Sequence, residues 1–113
     1  MFADDLKILI AFGSGRGWLR FEKMEVYVRV GRKIVGGQFT DCVQLANMNT
    51  PSQHQHKGTF DRLIKEIRTV TEMPIYVEQI LNREFFDALL RRGFTPAREY
   101  DGVIWDLVLI GDP

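Results

Sequence analysis

The chain is poor in the residues that build disulfide frameworks and metal centres. It has one cysteine, Cys42, among 113 residues, so no internal disulfide can form, which fits a reducing compartment. Its two histidines, His54 and His56, share a polar stretch without Cys, Asp or Glu at ligand spacing. Such a pair is poor evidence for zinc, and each reads as a solvated loop residue that titrates near neutral pH. Net charge is also missing, with 15 basic residues against 15 acidic ones. Nucleic-acid binders usually leave a basic footprint, so nucleic acid is not the expected partner, although Arg16, Arg20, Arg29, Arg32 and Lys33 could form a local patch. The start, Met1-Phe2-Ala3-Asp4-Asp5, lacks the basic region of a secretory signal. The apolar run Ile8–Phe12 is far too short to span a bilayer. These absences lead to the expectation of a cytoplasmic protein without a membrane partner.

What is present fits a globular chain. The apolar fraction of 45% supports a core, and the length favours a single domain over 1–113. Residues 3–12 read as a short helix, with a strand as the competing reading; Asp4 and Asp5 suit its first turn. Gly13-Ser14-Gly15-Arg16-Gly17 breaks it. Three glycines invite a phosphate-loop reading, but no Lys-Ser/Thr pair follows, so a loop is the better one. Met24 to Val35 alternates like a half-buried strand and is expected to be a hairpin turning at Gly31-Arg32-Lys33. Cys42–Met48 is the next strand. Gly58–Val70 is the best helix, with Phe60, Leu63, Ile64, Ile67 and Val70 on one stripe. Pro74–Ile80 reads as a strand. Asn82 reads as the N-cap of a helix that buries Phe85, Phe86, Leu89 and Leu90. That helix ends at Gly93, with Phe94 folding back on Leu89. Asp101–Ile110 is the expected last strand. Strand, helix and strand around Gly58–Val70 imply a right-handed parallel crossover. The expected result is an α/β (α+β) mixed sheet with helices on its faces.

The chemistry centres on Gln55-His56-Lys57-Gly58-Thr59-Phe60, a polar turn that opens the best helix. The first amides of a helix lack partners within it and the dipole favours anions there, so a phosphate or pyrophosphate fits. Glycine at position 58 allows close backbone approach. Most helix starts bind only water, so this feature alone does not make a site.

The turn, however, resembles a family signature. Gln55-x-x-Gly58-x-Phe60 is similar to the Gln/Arg-x-x-Gly-x-Gly/Ala motif of the GNAT acyltransferases, matching two fixed positions and departing at the third. Asn82 opening a helix that ends in Gly93-Phe94 resembles a second family element, and the strand Pro74–Ile80 falls between the two. The likeness covers roughly residues 24–110 and resembles the small bacterial and bacteriophage members. It implies a GNAT-like fold with a reduced N-terminal part, because only 23 residues precede Met24 where the family usually has a strand and two helices. It implies acetyl-CoA or another acyl-CoA as cofactor. Gln55 and the amides of His56, Lys57, Gly58, Thr59 and Phe60 would cradle the pyrophosphate. Leu45 to Met48 would hydrogen-bond the pantetheine arm, with Asn82 facing it. The implied activity is N-acetyltransfer to an amine acceptor, either a small molecule or a protein, and the implied assembly is a homodimer.

The catalytic residues are less clear. The family often places a proton-donating Tyr four residues before its Gly-Phe, and that position here is Leu89. This favours the alternative, a non-catalytic GNAT-like interaction domain. Glu78 could be a base if burial raised its pKa; it reads more readily as a solvated or ion-paired strand residue. Asn47 could orient a substrate or water, or satisfy backbone groups at a strand end. Trp18, Phe21, Tyr27 and Tyr76 could line an acceptor pocket. Cys42 reads as a small core residue.

Overall fold

A computed structural model describes residues 1–49 and 58–111. The elements are α1 (Phe2–Phe12), β1 (Arg16–Phe21), β2 (Met24–Val35), β3 (Gln38–Asn49), α2 (Thr59–Val70), β4 (Ile75–Val77), α3 (Arg83–Arg91), β5 (Thr95–Tyr100) and β6 (Val103–Leu109). They form one mixed six-stranded sheet in the order β1-β2-β3-β4-β6-β5. Neighbours pair antiparallel except β3 and β4, which the α2 crossover leaves parallel.

The strand alternation separates two faces. One face carries Val26, Val28 and Val30 of β2, Val43 and Leu45 of β3, Ile75 and Val77 of β4, and Leu107 and Leu109 of β6. Phe2 and Leu6 of α1, Leu63, Ile64 and Ile67 of α2, and Leu89 of α3 close over it in the same cluster. Each fully buried Leu or Ile there contributes about 1.5–3 kcal/mol. Helices were expected on the faces of the sheet; all three lie on one. The opposite face has a smaller cluster of Cys42, Tyr76 and Val108, with Val35 and Ala97 partly buried against it. Among the described residues no helix is long and apolar enough to cross a membrane.

One expected turn and one expected strand start move. Gly31-Arg32-Lys33 is not a turn but the middle of β2, where Arg32 opposes Asp41 and Lys33 opposes Thr40. The reversal comes at Gly36-Gly37, between the paired Val35 and Gln38. Both glycines have positive φ, 59° and 81°, the conformation a two-residue turn between twisted strands requires. The last strand likewise starts later than expected. Asp101-Gly102 forms its turn with φ of 56° and 80°, and β5, which the sequence reading did not anticipate, precedes it. Pro96 is tolerated because β5 is a sheet edge. β1 was also unanticipated. It follows Gly15, whose Cβ position lies 2.8 Å from the Leu9 backbone, so a side chain there would collide with α1.

Candidate functional site

The site arises where β3 and β4 part. Their ladder runs through Val43 and Ile75, Gln44 and Tyr76, and Leu45 and Val77, then stops. Each strand departs by an irregularity of its own. In β3, Val28 opposes Leu45 while the adjacent Tyr27 opposes Asn47, so Ala46 is an extra, bulged residue. After β4, Gln79 takes a left-handed φ of 50°. Val77 opposes Leu107, so unbroken pairing would set Gln79 against Trp105; instead the Ile80 N–H donates to the Trp105 carbonyl at 2.8 Å, a slip of one residue. The chain beyond β4 therefore follows β6 and leaves β3.

The gap is a cavity of about 650 Å³. Its deep wall is apolar, formed by Met24, Leu45, Val77, Ile80 and Leu89, all buried. Its polar lining comes from the first turn of α2 and from both ends of α3, with Asp61, Asn82, Glu84, Arg91 and Arg92. Gly58 sits at the N-cap of α2 with φ 74°, and among the described residues no side chain caps that helix. The Arg62 N–H donates to the Gly58 carbonyl at 3.2 Å. The Arg62 guanidinium lies beside Gly58, 3.2 Å from where a Cβ would stand, and is held by the Glu22 carboxylate at 2.6 and 2.7 Å. That hydrogen bond keeps the Glu22 carboxyl below its ordinary pKa. A second Arg–carboxylate pair, Arg92 on Asp61, ties α3 to α2 and lowers the Asp61 pKa by hydrogen bonding.

Asn82 caps α3, its Oδ1 accepting the Phe85 N–H at 3.0 Å. At the other end the Phe94 N–H donates to the Leu89 carbonyl and the Gly93 N–H to the Leu90 carbonyl, both 3.1 Å. Gly93 has φ 93°. This is the expected Schellman ending, and it fixes Leu89 against the cavity.

The expected site residues mostly converge. Leu45, Asn47, Met48, Gly58, Thr59, Phe60, Glu78 and Asn82 all line this one cavity. Gln55, His56 and Lys57 lie outside the described residues, as does His54. Leu45 and Thr59 are buried, whereas Asn47 is exposed at the rim, cross-strand from Tyr27. Tyr27 in turn meets the Trp18 ring edge-on at 5.4 Å on the helix-free face. Phe21 is not with them; it faces the main core and meets Phe2 edge-on.

Glu78 differs from one expectation. Burial pushes its carboxyl up, but hydrogen bonds from Lys33 and Arg29 outweigh that and leave the pKa below the ordinary glutamate value. Lys33 Nζ is 3.0 Å away and Arg29 Nη2 donates to the same oxygen. Glu78 is thus an ion-paired carboxylate, not one with raised basicity. Cys42 is buried and burial raises its thiol pKa, so it is no thiolate nucleophile. Among the described residues no three potential metal ligands cluster.

The sequence reading missed Gln79, Ile80, Phe85, Ala88 and Arg92 as lining residues. Three of them had a signal: Phe85, Ala88 and Arg92 follow Asn82 at helical spacing on one face.

A scan of protein-family models finds none that matches this chain. No curated protein matches it either. Solved structures do. One is a mutant of the AtaT toxin bound to the C-terminus of the antitoxin AtaR and acetyl-CoA, with a TM-score of 0.57 at 13% identity. Another is the KacTA complex with DNA, with a TM-score of 0.56 at 19% identity. Each likeness covers 76% of this chain and 57% of the other, so the chain spans little over half the length of the structures it matches. The shared architecture is the fold of the GNAT acetyltransferases.

Proposed function

We propose that this GNAT-fold chain binds acetyl-CoA or another acyl-CoA in the β3–β4 cavity and transfers the acyl group to an amine. The carrying observation is that two strands part beside the N-terminus of a helix that starts on a left-handed glycine. The first-turn amides at Gly58, Thr59 and Phe60 suit a pyrophosphate, with Gln55, His56 and Lys57 assigned to the same cradle by the sequence motif. Leu45, Met48 and Asn82 would flank the pantetheine arm along the apolar gap. The acetyl-CoA in the AtaT structure supports this reading.

Asn47 and Glu78 are the residues proposed for the acceptor side. Glu78 stays ionised but is already paired with Lys33 and Arg29, so it would act on an amine only by accepting a hydrogen bond; its low basicity makes it a weak proton acceptor. Leu89 cannot protonate a leaving thiolate. That residue favours a second reading, an acyl-CoA-binding interaction domain without catalysis. The antitoxin segment in the AtaT structure makes a protein partner plausible for it. The edge strands β1 and β5 offer the backbone groups for strand pairing, including with a second copy.

Titrating acetyl-CoA against the protein tests the site. At a hundred times Kd, stability should rise by about 2.7 kcal/mol by mass action, read as a higher Tm. Gly58→Glu should abolish the rise, because it places a carboxylate where the pyrophosphate would lie; circular dichroism checks that the variant folds. No rise at millimolar acetyl-CoA would sink the cofactor reading. Release of CoA with a panel of amines separates enzyme from binding domain.

A further inference from the structure

Asp106 is only 2% exposed, and the cofactor reading gives it no role. It lies on the helix-free face. Its Oδ2 accepts the Tyr76 hydroxyl at 2.7 Å and its Oδ1 accepts the Gln79 backbone N–H at 2.9 Å. A buried carboxylate is costly without such partners. Burial first, and the Asp106 hydrogen bond second, push the Tyr76 hydroxyl above its ordinary pKa, so it remains a donor.

Gln79 belongs to the wall of the cavity that leaves β3, whereas Tyr76 lies in the closed part of the ladder, paired with Gln44. Gln79 holds φ 50°, a conformation that costs a residue with a Cβ about 1–2 kcal/mol. An extended Gln79 would restore the rungs with β6 and run the chain on alongside β3, closing the gap. The side-chain acceptor that meets the Gln79 amide is the Asp106 carboxylate.

We infer that Asp106 is a positioning residue: its carboxylate locks Gln79 in the left-handed conformation and so holds the β3–β4 split open for the acyl-CoA arm. Only the functional half rests on the cofactor reading. Tyr76 fixes the carboxylate from within the sheet, and the bulge at Ala46 shapes the opposite wall. The wedge is therefore set by the fold before any ligand arrives.

The test reads the backbone at position 79 directly. A strong intraresidue amide-to-Hα NOE marks positive φ there in the wild type. Asp106→Asn should keep it, because the amide oxygen can accept the Gln79 N–H while its NH₂ donates to the Tyr76 oxygen. Asp106→Leu should lose it and weaken acetyl-CoA binding by about tenfold or more. Adding Gln79→Gly to Asp106→Leu should restore binding, since glycine takes positive φ without strain. A residue that merely stabilised the sheet would lower Tm in Asp106→Leu without changing the NOE, and that result overturns the inference. Should Asp106→Leu not fold, Tyr76→Phe carries the test: faster hydrogen exchange at the Gln79 amide supports the lock, and unchanged exchange rejects it. If the wild type binds no acetyl-CoA, the cofactor reading falls, while the NOE and exchange still decide whether Asp106 holds the split.

Discussion

At its closed end the β3–β4 junction is regular parallel sheet. Val43 faces Ile75 and Leu45 faces Val77, all buried beneath the helices. At its open end the same two strands separate around a cavity, although Met48 and Ile80 continue the apolar pattern there. Composition does not distinguish the two ends. The difference lies in one extra residue on each strand, Ala46 against β2 and Gln79 against β6. A sheet can thus open a cleft without giving up apolar walls, provided each wall keeps its outer partner.

The sharpest way to break this contrast is at the closed end. Ile75→Ala removes a fully buried side chain and should cost about 2–5 kcal/mol, seen as a lower urea midpoint with unchanged slope. A loss below about 1 kcal/mol would mean that the closed end carries little of the core.

A smaller effect is expected where the open end is tied across the sheet. Glu78→Gln removes the negative charge shared by Arg29 and Lys33 and should cost about 1–3 kcal/mol at pH 7. The pH dependence has a definite sign. The native pKa of Glu78 is lowered, so its contribution is present above the unfolded value of about 4.3. It is lost as pH falls through the lowered native value. The gap between wild type and variant in urea unfolding should therefore shrink in acid; a gap independent of pH would assign the loss to packing.

The smallest effect sharpens the mouth. Asn82→Ala removes the α3 cap and should cost about 1 kcal/mol. Acetyl-CoA affinity measured beside stability then shows whether Asn82 also meets the ligand: loss of stability alone confines it to capping.

What could be read from the sequence was local. The α3 cap, the Gly93-Phe94 ending and the α2 stripe each depend on a few consecutive residues, and each is where the pattern placed it. The parallel crossover followed from element order. β1 was hidden because Arg16 and Gly17 look like the end of the glycine-rich loop, although Leu19 and Phe21 do alternate inward. β2 was cut short because Gly31 resembles a turn, while the reversal comes at Gly36-Gly37. β5 was hidden by Pro96, which only its edge position permits. Leu45 and Met48 on β3 and the α3 cap Asn82 came from the family resemblance, while the lining residues within α3 did not. The left-handed turn at Gln79 could not, because it depends on Asp106, remote in sequence and near only once the sheet is formed.

The three-rung contact between β3 and β4 has one more consequence. Strands β1 to β3 are joined in sequence by short turns, as are β5 and β6, so each group pays little loop-closure entropy. The parallel contact and the helices packed over it join the two groups, and it is closed through the whole α2 crossover. A molecule seated in the split would touch both groups at once and add cooperativity across the joint. Its protective effect on amide exchange should thus be greatest along the β3–β4 line, far from the turns that hold each group together.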